Sequence, residues 1–135
     1  MRVRRELSFL MKSPSFFRRL GYAVRGLRLT FQHEQSFRLQ TLAAVLVMLT
    51  AFLLPLLRTE RLILLIVVMM VLVLELLNSC LERVVDLLRP RLDEYVKEVK
   101  DMMAGAVLIA SLVALLIAFV VFGPYLVSFL HPYFV

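Results

Sequence analysis

Along this chain the apolar positions come in runs and the polar ones in blocks between them. From about Leu39 to Leu57 side chains are almost all apolar, with Thr50 and Pro55 the main interruptions. A second run, Leu62 to Leu74, holds thirteen residues without a polar side chain, and a third, Met102 to Phe122, carries only Ser111 as a polar side chain. A helix needs about 20 apolar residues to cross a bilayer core. The first and third runs predict spans over 39–57 and 102–122. At about 1.5 Å per residue the middle run stops near two thirds of the way across, so a span over 62–88 must carry polar residues inward.

Those residues follow immediately, in VLELLNSCLERVVDLL, Val73 to Leu88. On an ideal helix Glu75, Asn78, Ser79, Glu82 and Asp86 fall within an arc of about 100°, while the rest of the circumference is apolar apart from Arg83. A carboxylate at mid-bilayer costs roughly 2.5–3.5 kcal/mol on insertion scales. Packing between helices would be served by a single amide; repeated carboxylates on one face fit a cation site.

Between the spans the chain is short and punctuated. Arg58 to Arg61 reads as the link of a tight helical hairpin, and Pro90 as the terminator of the second span. Asp93 to Asp101, DEYVKEVKD, predicts a short charged helix in which Asp93, Lys97 and Asp101 repeat at i, i+4. Upstream, 16–31 predicts an amphipathic surface helix, with Phe16, Leu20, Val24, Leu27 and Phe31 on one side and Arg18, Arg19, Arg25 and Arg28 on the other. The whole, 1–135, reads as a single all-α integral-membrane domain: a surface helix plus three transmembrane helices.

Charge distribution sets the topology. Of sixteen Lys and Arg, nine lie between Arg2 and Arg38, five between Arg83 and Lys100, and only Arg58 and Arg61 in the first link. Basic residues gather on the cytoplasmic side, so the N terminus is expected inside and the C terminus outside. The tail from Pro124 lacks Lys and Arg, with Tyr125 and Tyr133 as interfacial aromatics. The net charge of +6 therefore points to membrane topology and not to a nucleic-acid partner. The start, through Arg19, has its apolar stretch broken by Lys12 and Pro14 and does not read as a signal peptide. Cys80 is the only cysteine, which excludes an intrachain disulfide and a thiolate metal cage.

Oxygen donors at helical spacing suit Mg²⁺, which takes a few carboxylates and shares its other positions with water and phosphate. His33 and His131 have no partner at ligand spacing, against a zinc site. There is no G-x-x-x-x-G-K-[ST] and no Gly-rich loop, so a bound nucleotide is not cradled by a P-loop or a protein-kinase fold. Metal and basic side chains would have to neutralise its phosphates.

The run E-L-L-N-S-C-L-E-R-V-V-D, Glu75 to Asp86, followed by K-D-M-M-A-G-A-V-L, Lys100 to Leu108, resembles the prokaryotic diacylglycerol kinase family, which includes the undecaprenol kinases. Gly21-Tyr-Ala-Val-Arg-Gly-Leu-Arg28 resembles that family's surface-helix motif, and Glu34 with Phe37-Arg38 its E-x-x-[FM]-R. The resemblance runs from about Phe16 to Leu126. It implies a homotrimer in the inner membrane of a bacterium that transfers the γ-phosphate of Mg-ATP to a lipid hydroxyl.

Position by position, the resemblance makes Glu75 the general base, held by Asn78, and Glu34 and Glu82 the metal carboxylates. Tyr22, Glu34, Glu82, Asp86, Asp93, Lys100 and Asp101 are the expected ATP contacts, and Arg38, Glu75 and Ser79 the expected lipid contacts. Asp93 stands where the family usually has His, Arg91 replaces a neighbouring acid, Ser15 aligns with a basic residue, and Cys80 replaces Ala. The hairpin RTERLILL, with VVDLLRP and VVFGPYL, looks closer to the undecaprenol branch than to the diacylglycerol branch. A small transporter using Glu75 as its coupling carboxylate, or an assembly subunit, is the reading from another class.

Overall fold

The computed structural model describes residues 15–88 and 93–130, without the side chains of Leu88, Asp93 and Leu130. The expectations placed on Pro90, Arg91, His131, Tyr133 and the Asp93 side chain lie outside the described residues. Among the described residues four helices follow one another: α1 Phe16–His33, α2 Gln35–Leu53, α3 Arg58–Leu88 and α4 Asp93–Leu130. The chain divides into two compact units, Met1–His33 and Glu34–Val135.

In the first unit, α1 starts where the Ser15 carbonyl accepts the N–H groups of Arg18 and Arg19, at 2.9 and 3.1 Å. Near its other end the Thr30 hydroxyl donates to the Gly26 carbonyl, 3.2 Å away. Phe16, Leu20, Val24, Leu27 and Phe31 are all exposed.

In the second unit α3 is the central helix, packed against both α2 and α4. Helix α2 begins four residues before the expected span and ends at Leu53, not Leu57. The early stop has a steric cause. Pro55 disfavours helical backbone at the preceding residue, and Leu54 is extended at φ −88°, ψ 149°.

The turn is therefore 54–57, and the expected link Arg58 to Arg61 is instead the first turn of α3. Glu60 makes that possible: its Oε2 accepts the Leu57 N–H at 2.8 Å, one of the donors a helix start leaves unsatisfied. Arg61 reaches back to the Leu54 carbonyl at 3.4 Å.

The expected charged helix 93–101 and span 102–122 are one unbroken helix. From Asp93 to Phe122 there is no proline, so nothing interrupts the backbone ladder. The ladder also runs past Pro124, which lies inside the helix, although its missing N–H removes one bond of the last turns.

Among the described residues three helices are long and apolar enough to cross a membrane. At 1.5 Å per residue α3 and α4 measure about 46 and 57 Å, longer than the ~30 Å hydrocarbon layer, so their charged turns reach the polar interface. Large apolar side chains such as Leu46, Ile66, Leu116 and Phe119 are exposed, as expected of a protein whose solvent is lipid.

The buried cluster Ala51, Leu56, Leu64 and Val121 lies at the α2–α3 turn end, with Val47, Ile117 and Phe122 against it. There the Tyr125 hydroxyl donates to Glu60 Oε2 at 2.7 Å, so one carboxylate oxygen ties α4 to the start of α3. Tyr125→Phe is expected to lower the unfolding midpoint in detergent by a few degrees through loss of this tie. An unchanged midpoint would show that the tie is replaced by water.

Candidate active site

The polar stripe of α3 faces into the helix packing. Glu75 is 3% exposed, Ser79 3% and Asn78 9%, so desolvation leaves each dependent on its partners.

Glu75 is held from the neighbouring helix. Gln40 Nε2 of α2 donates to its Oε2 at 3.2 Å, and because a carboxylate only accepts, the amide orientation is fixed by chemistry. Gln40 Oε1 is thereby left shielded and without a hydrogen-bond partner among the described residues. Ser79 Oγ donates to the Glu75 backbone carbonyl at 3.0 Å, so its single donor is engaged within the helix. The Asn78 amide goes to Glu82 Oε1 at 3.3 Å, not to Glu75 as expected, and Asn78 Oδ1 is shielded and unpaired among the described residues.

Beyond Asn78 two ion pairs join α3 to the start of α2 and to α4. Arg83 Nη2 lies 3.1 Å from Glu34 Oε1. Glu34 precedes α2 in extended conformation and its side chain makes no capping bond, which leaves the carboxylate available to reach α3. On the other side Lys100 Nζ of α4 lies 2.5 Å from Asp86 Oδ1. Both pairs are partly solvated, where such pairs add little stability; their effect is to hold charges in place.

The second unit thus sets Glu75, Asn78 and Glu82 on one face of α3, with Glu34 joined to the same stretch of that helix through Arg83. Asp86 with Lys100 forms a second group. Arg38 and Asp101 are exposed. Tyr22 belongs to the first unit and is exposed.

Sequence reasoning missed Gln40 and Arg83. Gln40 was legible as an amide just inside an apolar run. Arg83 carried no signal beyond topology, since its partner is 49 positions away.

Among the described residues no three His, Cys, Asp or Glu side chains gather closely enough to enclose a metal. That excludes an all-protein cage in this region but fits Mg²⁺, which takes one or two carboxylates and completes its shell with phosphate and water. Glu34 and Glu82 are donors of that kind.

The family model for prokaryotic diacylglycerol kinase matches residues 21–122. The chain belongs to the prokaryotic diacylglycerol kinase family. The diacylglycerol kinase of Escherichia coli strain K12 is 38% identical over 96 residues, 71% of this chain and 79% of that protein. The undecaprenol kinase of Bacillus subtilis strain 168 is 32% identical over 109 residues, 81% of this chain and 89% of that protein. A diacylglycerol kinase from Synechocystis is 35% identical over 117 residues, 86% and 67% of the two chains.

Membership in the diacylglycerol kinase family, with three apolar helices, makes this a multi-pass membrane protein and an ATP-dependent lipid kinase. The transporter and assembly-subunit readings are set aside by that match. Every site residue expected from the sequence lies within the matched region.

Glu75→Gln keeps the shape of the side chain and an acceptor for Gln40 while removing a buried charge. The variant is expected to unfold in detergent at the parent's midpoint or above it; a fall of many degrees would contradict the geometry described for Gln40.

Proposed function

We propose that the protein transfers the γ-phosphate of Mg-ATP to the hydroxyl of undecaprenol at the inner face of a bacterial cell membrane, giving undecaprenyl phosphate. The observation that carries the reading is the arrangement around Glu75, a buried carboxylate held by an amide on the helix that also carries Glu82 and Arg83, the partner of Glu34. The excess of Lys and Arg on the N-terminal segment and on 83–100 supports a cytoplasmic N terminus and an outer C terminus.

In this mechanism the lipid hydroxyl lies against Glu75, which takes its proton as the oxygen forms a bond to the γ-phosphorus and the bond to ADP breaks. Glu34 and Glu82 would hold Mg²⁺ with the phosphate oxygens, where it supplies neutralisation of phosphoryl charge. Asn78 fixes Glu82 through its amide. Asp86 fixes Lys100, whose ammonium has three donors, so two remain for phosphate. Tyr22, Asp93 and Asp101 are assigned to the nucleotide, and Arg38 and Ser79 to the lipid, by resemblance alone. Assembly as a homotrimer rests on the same ground.

Undecaprenol is favoured because similarity to the Bacillus subtilis undecaprenol kinase extends over 89% of that protein and because the hairpin sequence resembles that branch. The second reading, diacylglycerol giving phosphatidic acid, is favoured by the higher identity, 38%, to the Escherichia coli diacylglycerol kinase. Both alcohols present a hydroxyl at the same depth, so helix geometry treats them alike.

Radiolabelled ATP with detergent-solubilised undecaprenol and diacylglycerol side by side, with and without Mg²⁺, decides the acceptor. A product from undecaprenol at the higher kcat/KM is expected; a preference for diacylglycerol would transfer the assignment to the second reading. Glu75→Gln is expected to abolish turnover, and retained activity would refute its role as base. Glu82→Gln is expected to raise the Mg²⁺ concentration for half-maximal rate by about tenfold, and an unchanged Mg²⁺ dependence would count against a metal carboxylate there.

A further inference from the structure

Arg83 holds Glu34 with Nη2, 3.1 Å from Oε1, and a guanidinium carries several further N–H donors in its planar fork. The pair is half in solvent, with side chains 48% and 27% exposed, so it adds little to folding. Glu34 stands at the N-cap position of α2, where a side-chain oxygen can accept a backbone N–H, yet it makes no such bond. Its carboxylate is turned to α3 instead.

One turn along α3, Asp86 holds Lys100 Nζ at 2.5 Å. Residues three apart on a helix have Cβ atoms about 5–6 Å apart, so the two ion pairs start from neighbouring positions, one tied to the start of α2 and the other to α4. They differ in the work given to their carboxylates. Asp86 is not assigned to the metal, and Lys100 can stay on it while its other donors reach phosphate. Glu34 is assigned to the metal. A guanidinium and a divalent ion on one carboxylate would stand a few ångströms apart, and partial solvation weakens that repulsion without removing it.

We propose that Arg83 and the divalent ion exchange at Glu34, and that the displaced guanidinium becomes a ligand of the nucleotide's phosphates. The proposal rests on the reading of Glu34 as a metal carboxylate. Exposure leaves the Arg83 side chain able to turn, a partly solvated pair costs little to give up, and the planar fork suits phosphate oxygens as well as carboxylate. Arg83 leaves Glu34 at least cost when a phosphate is there to receive it. Metal and nucleotide therefore bind better together than apart, by the same factor in either order. Lys100 does not supply that coupling, because its own carboxylate stays with it.

The test measures Mn²⁺ affinity by water-proton relaxation on the full chain in detergent micelles, with and without a non-hydrolysable ATP analogue. Without nucleotide, Arg83→Gln is expected to bind Mn²⁺ about threefold more tightly than the parent, because a competitor for Glu34 is gone. In the presence of Mn²⁺ the same variant is expected to bind the analogue about tenfold more weakly, because a charge-assisted bond to phosphate is lost. Its unfolding midpoint is expected to stay within a few degrees of the parent's. A contact that merely fastened α2 to α3 would weaken both affinities or neither. Mn²⁺ affinity unchanged or reduced in Arg83→Gln, or analogue affinity unchanged, would overturn the exchange.

A double-mutant cycle separates exchange from the field of the lost charge. In the Glu34→Gln background, Arg83→Gln is expected to change Mn²⁺ affinity by less than about twofold. The full gain there too would mean that the guanidinium repels the ion from a distance, and the exchange fails. If Glu34→Gln binds Mn²⁺ as the parent does, the metal reading of Glu34 falls and the exchange with it. If Glu34→Gln binds Mn²⁺ more weakly while Arg83→Gln matches the parent, the exchange alone falls.

Discussion

A carboxylate withdrawn from water must be given partners, and the half of the helical hairpin away from its turn is arranged around that demand. Glu75 is nearly inaccessible and receives one amide hydrogen bond across the helix interface. Glu82 receives another from Asn78, and Glu34 is paired to Arg83 across two helices. Each contact is of modest strength, about 0.5–1.5 kcal/mol for a neutral donor and about 0–1 kcal/mol for a partly solvated ion pair. Together they keep three acidic groups in one region where mutual repulsion would drive them apart. Such an arrangement has a chemical use when a cation and a polyanion arrive together, because the cation offsets the repulsion and the fixed carboxylates need no reorganisation.

The two ends of the helical hairpin differ in kind. At the α2–α3 turn Pro55 stops α2, Glu60 satisfies the start of α3 and binds Tyr125, and the buried cluster around Leu64 closes the packing. Every feature there serves the fold. At the opposite end a groove between α2, α3 and α4 reaches Gln40, shielded polar atoms of Gln40 and Asn78 stay unpaired among the described residues, and α3 and α4 extend as charged turns. The unbroken helix α3 joins the two ends.

Much of this was legible in the order of side chains. The three spans and the amphipathic first helix follow from hydropathy and helical period, and the polar face of α3 follows from its 3.6-residue repeat. The errors came where local signals compete. Pro55 ended α2 earlier than apolar composition indicated, Glu60 recruited a presumed loop into α3, and the absence of a breaker fused 93–101 with the third span. In the site, the sequence exposed residues that share a helix and hid those that meet across helices. Gln40 and Arg83 find their partners 35 and 49 positions away, and no periodicity within one helix encodes such a meeting.

The central claim is that Glu34 and Glu82 are tolerated near Glu75 because they hold a divalent ion with its triphosphate. Electron paramagnetic resonance of Mn²⁺, titrated into the detergent-solubilised protein with a non-hydrolysable ATP analogue, tests this without turnover. The parent is expected to bind Mn²⁺ and nucleotide together, each strengthening the other, and the double variant Glu34→Gln, Glu82→Gln to lose at least about tenfold in Mn²⁺ affinity with its helices intact. Equal Mn²⁺ affinity in the two proteins, with the nucleotide still bound, would contradict the account.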